Sequence, residues 1–166
     1  MRERLVDWLA SLPEPLAVLI AAMLPVLELR GAIPMARLLD LDPATAYLAA
    51  VLGNLIPVPF ILWGLGPVTE WAEGHWGWFH RFLQRLFSWS RRRNAPRFER
   101  LRDLALVAFV AIPLPITGAW SGSLAAFVFG VKPTRALGLI GAGVAIAGVV
   151  VLVVTYGVGW WIASAG

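Results

Sequence analysis

The chain has 166 residues, 59% hydrophobic and 14% charged, with a mean hydropathy of +0.74 and a formal net charge of +4. A soluble domain carries about 25% charged residues. Residues 43–69, 104–129 and 136–166 carry none, and each stretch exceeds the roughly 20 residues that cross a hydrocarbon core; a soluble globular protein is excluded, and an all-α integral membrane protein forming a single membrane domain over 1–166 is expected.

The absence of cysteine removes disulfides, thiol nucleophiles and thiolate metal sites. His75 and His80 are too few for a histidine-only metal site. The N-terminus mixes Arg2 and Arg4 with Glu3, Asp7 and Glu14 and is a poor signal peptide. Insertion is expected to rely on the first apolar segment.

In chain order, residues 3–12 place Leu5, Trp8, Leu9 and Leu12 at helical spacing and read as a short interfacial helix. Residues 15–39 form an apolar segment interrupted by Glu28-Leu-Arg-Gly and by Pro34, which reads as a broken, re-entrant segment. Asp42-Pro43 suits the start of a helix, and 43–64 reads as a transmembrane helix ending at Trp63-Gly-Leu-Gly-Pro67. Residues 70–89 carry Trp71, His75, Trp78, Phe79, Phe82, Leu83 and Leu86 on one stripe, an amphipathic surface helix. Eight of the fourteen basic residues lie between Arg81 and Arg102. Between membrane segments, such a run reads as a cytoplasmic loop, 90–103, obeying the positive-inside rule rather than as a nucleic-acid patch. Residues 104–129 form a second broken, re-entrant segment, interrupted by Pro113-Leu-Pro115 and Thr117-Gly-Ala-Trp-Ser-Gly122. Lys132-Pro-Thr-Arg135 is a turn, and 136–162 is a transmembrane helix rich in small residues.

The two halves resemble each other. Pro43-x-x-Ala46, with Gly53 ten residues after the proline, recurs as Pro133-x-x-Ala136 with Gly143 ten after, and Pro25 and Pro115 stand eighteen residues before each proline. If each broken segment is a re-entrant hairpin, each half crosses the membrane once and the halves are inverted repeats, the signature of secondary transporters. The hairpin tips are then expected near 28–34 and 113–122. The rival topology is four full spans, two of them kinked.

Candidate site residues gather at these breaks. Glu28 and Arg30 do not face each other on a regular helix, but in an unwound tip they can share a cavity. There Glu28 is a candidate proton carrier and Arg30 a candidate anion grip; the alternative is that the pair only pins the tip. Gly31 and Pro34 shape the same segment. The second tip offers Thr117, Ser121 and Ser123 hydroxyls and accessible backbone beside Pro113, Pro115 and Gly118; its alternative is a kinked helix whose hydroxyls bond their own backbone. Asn54 needs a partner, either in the same cavity or on a neighbouring helix. No Ser/His/Asp arrangement, Walker loop or metal constellation is present in the sequence, so neither an enzyme nor a cofactor is expected.

Glu28-Leu-Arg-Gly-Ala-Ile-Pro34, Gly53-Asn54 with prolines after it, and Pro113-x-Pro-x-Thr-Gly-x-Trp-x-Gly122 resemble the putative small multidrug export protein family over most of residues 15–160. That family is similar to the DedA, or VTT-domain, superfamily. The resemblance implies two facing re-entrant hairpins, lipid-carrier translocation or scrambling, and proton coupling. It carries an acidic–basic tip onto Glu28 and Arg30 and a Pro/Thr-Gly tip onto Pro113, Pro115, Thr117 and Gly118. DedA members often carry charges in both hairpins; the second tip here has none.

The expected function is a secondary transporter or flippase for an amphiphile with an anionic, lipid-like head, with protons as the candidate coupling ion. The alternatives are a multidrug exporter of small cationic amphiphiles and a non-transporting structural or assembly protein. Membrane lipids, a small amphiphilic substrate and a second copy of the chain are the expected partners, without nucleic acid. The expected location is the plasma (inner) membrane, with several passes.

Overall fold

The computed structural model describes residues 12–75, 96–113 and 117–165. These residues form helices and turns only: α1 (Glu14–Met23), α2 (Glu28–Leu38), α3 (Pro43–Leu55), α4 (Pro57–His75), α5 (Pro96–Ala111), α6 (Ala119–Val128) and α7 (Pro133–Ala165). The expected interfacial helix 3–12 falls outside the described residues except at its last position, and the surface helix 70–89 falls outside them beyond His75.

Proline sets the first break, at a different place from the one expected. Pro25 forces its predecessor out of the helical region; Leu24 is extended, with ψ 134, and α1 stops at Met23. The chain re-enters a helix at Glu28, so the tip is Leu24–Leu27 rather than 28–34. Pro34 lies inside α2 and does not break it. It withholds one N–H, from the carbonyl of Arg30, and the rest of the helix closes around the gap.

Asp42 caps α3 as its sequence predicts. Its carboxylate accepts from the amides of Ala44 and Thr45, with Pro43 in the first turn, where no N–H is needed. Two other boundaries are corrected. The second segment does not end at residue 64: Pro57 interrupts the ladder at Ile56 with little change of backbone, and α4 then runs through Gly64, Gly66 and Pro67 to His75. The basic stretch 96–103 is not a loop but the start of α5, with Pro96 at its first position.

The chain resolves into two compact units. Unit 1 comprises Met1–Ile56 and Val144–Gly166; unit 2 comprises Pro57–Gly143. Within unit 1, α1, α2 and α3 pack against one another. A Cβ on Gly53 would stand 2.1 Å from the backbone oxygen of Leu19, so α1 and α3 touch backbone to backbone there. The Tyr47 hydroxyl donates to the Ala145 carbonyl, and Gly148 is seated on Tyr47 and Val51. Within unit 2, α6 packs on α4 and α5, and Gly122 and Gly143 both close on Val110.

The same backbone bonds recur ninety residues apart. Leu41 donates to the Ala36 carbonyl and Asp40 to Arg37; Val131 donates to Ala126 and Gly130 to Phe127. Each set is a Schellman closure around a left-handed residue, Asp40 at φ 56 and Gly130 at φ 65. Ala46 and Ala136, one turn into the helices that follow, are both fully buried.

The interior is built from small residues and the exterior from large apolar ones. Among the described residues more than half of the buried hydrophobic ones are alanine, whereas Leu48, Phe60, Trp63, Val153 and Val154 are exposed. That is the reverse of a soluble core and matches helices packed within lipid. Two helical stretches are long and apolar enough to cross a membrane, Pro43–Thr69 and Pro133–Gly157, with mean hydropathies of 1.9 and 2.7. Only 33% and 28% of their windows are buried, whereas the core helix of a soluble protein is mostly buried.

Candidate functional site

In unit 1 the break at Pro25 delivers Glu28 to the first position of α2. Glu28 is 7% exposed and has φ 46, a left-handed conformation that glycine takes easily and a branched-chain or bulky acidic residue takes at a cost. Its amide donates to the Leu24 carbonyl at 3.0 Å, which closes the tip. Its carboxylate accepts from Arg30 Nη2 at 3.4 Å, and the Arg30 side chain is 24% exposed. The left-handed turn is what brings the two side chains together: on an undistorted helix, residues two apart diverge. The site therefore offers a buried carboxylate beside a partly open guanidinium, with Leu24, Pro25, Val26 and Leu27 exposed around it. Gly31 gives the Leu27 side chain room, since a Cβ there would meet its Cδ2 at 2.8 Å.

Asn54 is also in unit 1, 1% exposed, and its Oδ1 has no hydrogen-bond partner among the described residues. No hydrogen bond joins it to Glu28 or Arg30. A buried acceptor without a donor is costly, and Oδ1 is the one such atom of the Asn54 side chain among the described residues.

The candidate residues of the second break are arranged differently. Pro113 is half-buried and Pro115 lies outside the described residues. The Thr117 hydroxyl donates to the Ile112 carbonyl, Ser121 to Gly118 at 3.4 Å and Ser123 to Ala119 at 2.7 Å. Each of these hydroxyls is bonded to a backbone carbonyl of the chain itself. Gly118 precedes α6 in extended backbone, and Gly122 makes room for Val110.

Unit 2 has its own charged cluster, which sequence reasoning missed. Asp103 is 7% exposed; one of its oxygens meets the Arg135 guanidinium, and the other lies 3.5 Å from Arg102 Nη2. Arg135 also reaches Glu99 at 3.5 Å, and Arg102 Nη1 donates to the Phe129 carbonyl at 3.3 Å. The signal was available: Glu99, Arg102 and Asp103 are three and four residues apart and share one face once α5 is started at Pro96. Assigning 96–103 to a loop and Arg135 to a turn hid it. Among the described residues, no group of three or more His, Cys, Asp or Glu could hold a metal.

Residues 28–150 match the family model described as putative small multi-drug export protein. No curated protein and no solved structure matches the chain. The matched stretch begins at Glu28 itself and takes in Asn54, the second break and the Asp103–Arg135 cluster. With well over half of its length matched, this membrane protein, whose family points to a transport role, belongs to the putative small multi-drug export protein family.

Proposed function

We propose that the protein is a proton-coupled secondary transporter or flippase of the plasma membrane for an amphiphile with an anionic, lipid-like head. One observation carries the reading: Glu28, a buried carboxylate held in left-handed backbone and paired with Arg30, at a break between two short helices. At 1.5 Å per residue, α1 and α2 are each about 15 Å long, half of a hydrocarbon core of roughly 30 Å. Two such arms enter and leave on one face, as a re-entrant hairpin. Irregular backbone at membrane depth persists only where protein or a wet cavity covers it, and an ionisable residue there is a functional group by default. Glu28 then carries the proton, and Arg30 grips the anionic head in two places.

The bonds repeated ninety residues apart support a second hairpin formed by α5 and α6. With one full crossing after each hairpin, the halves have inverted topology, as in other secondary transporters, and this supports the likeness to the DedA superfamily. Gly118, ninety residues after Glu28, lies in extended backbone that any residue adopts, so the left-handed strain belongs to Glu28 and has no counterpart there. Keeping glutamate at the strained position of unit 1 supports a use for its carboxylate.

The test is reconstitution in liposomes with a pH-sensitive dye, against lipid phosphates and small cationic drugs. Proton movement driven by a lipid phosphate supports the proposal. Movement driven by cationic drugs alone favours drug export, and no movement with any compound favours a structural role. The hairpin is tested separately with single cysteines at Leu12 and Asp42. Labelling of both from one side of the membrane is expected; labelling from opposite sides makes 15–39 a full span.

A further inference from the structure

Asn54 brings to unit 1 a buried acceptor that the transport reading leaves unused. Its Oδ1 has no donor among the described residues, although the residue is 1% exposed. It ends a buried stripe on α3, formed by Ala46, Ala49, Ala50, Gly53 and Asn54, that follows one face of the helix.

The topology of unit 1 decides which donor can meet it. Gly53 is seated against Leu19 and Ala22, so α3 ends level with the end of α1, beside the break at Leu24–Leu27. Glu28 closes that break from the other side, through its bond to the Leu24 carbonyl. Asn54 and Glu28 therefore both lie at the tip end of the packed helices α1, α2 and α3, and both are buried. Apart from Arg30, the other charged or titratable groups of these helices, and of α7 within unit 1, lie away from the tip. Glu14 opens α1, Arg37 and Asp40 pair at the far end of α2, Asp42 caps the start of α3, and Tyr156 donates to the Leu41 carbonyl. Tyr47, earlier on α3, donates to the Ala145 carbonyl.

The protonation state of Glu28 decides whether Asn54 can be satisfied. An ionised carboxylate only accepts, whereas a protonated carboxyl also donates one O–H. With Glu28 ionised against Arg30, it has no proton to give Asn54, and Oδ1 stays bare. The pair that must give way is a single contact, Arg30 Nη2 to the Glu28 carboxylate at 3.4 Å, longer than a strong hydrogen bond.

From this placement we infer that Asn54 is the acceptor for protonated Glu28. One proton from water adds to the carboxylate, the Glu28–Arg30 contact breaks, and the new O–H donates to Asn54 Oδ1. The Arg30 guanidinium is then free for the head group that the transport reading assigns to it, so proton and substrate load together. The inference rests on Glu28 as the proton carrier of the proposed function.

The test is infrared difference spectroscopy of the full-length protein in liposomes, between alkaline and acidic buffer. The parent should show the C=O band of a protonated, buried carboxyl, and Glu28→Gln should lack it. In Asn54→Leu the band should move to higher frequency, because the O–H has lost its acceptor. Proton binding should weaken about fivefold, the worth of one neutral hydrogen bond. Asn54→Leu should stay folded in alkaline buffer, where it removes an acceptor that has no donor. Asn54→Val removes the same acceptor with less added volume and keeps the test in place if leucine does not fit. A Glu28 band with unchanged frequency and unchanged titration in the Asn54 variants overturns this inference and leaves proton carriage intact. No band in the parent, or a band that persists in Glu28→Gln, overturns proton carriage and this inference with it.

Discussion

In unit 1 the buried charge lies at the turn between two short helices, where Glu28 meets Arg30. In unit 2 the corresponding turn is uncharged, and the buried charge lies at the other end of the helix pair, where Asp103 joins Arg102 and Arg135 near the α6–α7 turn. The backbone bonds that close the two units nevertheless recur residue for residue. Steric positions are therefore held in common while chemical ones diverge. Ala36 and Ala126, Ala46 and Ala136, and Gly53 and Gly143 keep the helices close; Glu28 and Gly118 share a place in the chain and nothing in chemistry.

The largest effects should come from the shared steric positions. Gly53→Ala drives a Cβ to 2.1 Å from the Leu19 oxygen, a backbone atom that cannot swing aside. It should cost at least the upper part of the about 1–3 kcal/mol typical of overpacking. Gly143→Ala meets Val110 Cβ at 2.7 Å and the Val107 carbonyl oxygen at 3.0 Å, both fixed to the α5 backbone, and should cost less only because these approaches are longer than the 2.1 Å at Gly53. Gly138→Ala meets nothing within 4 Å and should be neutral or slightly stabilising. Thermal melts in detergent that ranked the three equally would break the equivalence.

The charged clusters come next. Asp103→Asn leaves two guanidinium groups without their shared carboxylate and should destabilise by about 3 kcal/mol, the usual result of breaking a buried pair. Arg37→Ala removes an exposed pair with Asp40 and a stacking contact 5.5 Å from the Tyr156 ring, together worth no more than about 1 kcal/mol. Similar losses in the two variants would mean that burial at Asp103 does not govern its contribution.

A smaller effect isolates backbone strain at the tip. Glu28→Gly and Glu28→Gln both remove the carboxylate, but only glycine relaxes φ 46. The glycine variant should be the more stable by about 1 kcal/mol. If the two melt together, Glu28 is not strained.

Asp42 supplies the smallest effect and a pH signature. The Thr45 hydroxyl, with the amides of Thr45 and Ala44, holds its carboxylate below the ordinary 3.8. A lowered folded-state pKa gives stability that is complete above the unfolded value and lost as pH falls through the folded one. The protein should therefore lose melting temperature below about pH 4, and Asp42→Asn, still a cap, should lose less over that window. At the matching position of unit 2, Lys132 has no carboxylate, so Lys132→Gln should leave the acid limb unchanged.

Much of this was legible in the sequence because prolines, glycines and caps act locally. Asp42-Pro43 opens a helix, the glycines ten residues after Pro43 and Pro133 mark close packing, and the long uncharged stretches mark the spans. The break falls at Leu24–Leu27 rather than at 28–34 because the two prolines act differently. An isolated proline within a packed helix costs one hydrogen bond, whereas Pro25 also acts on Leu24. The Asp103 cluster was legible only in part: Glu99, Arg102 and Asp103 share one face of α5, but Arg135 reaches them from another helix, and no local pattern reports a partner more than thirty residues away. Glu28 and Arg30 stood out for the opposite reason: a charge pair in apolar surroundings is visible without any knowledge of its contacts.

The central claim is that Glu28 carries a proton through a site it shares with Arg30. It is tested most directly by proton-linked transport in liposomes with Glu28→Gln beside Arg30→Lys. Glutamine keeps the shape and removes the titratable group, and lysine keeps the charge and removes the planar fork. Both variants should insert and remain folded, with proton movement abolished in the first and transport impaired in the second. Normal proton-linked transport in both would contradict the account, and failure of both to fold would make the pair a tie that holds the tip together.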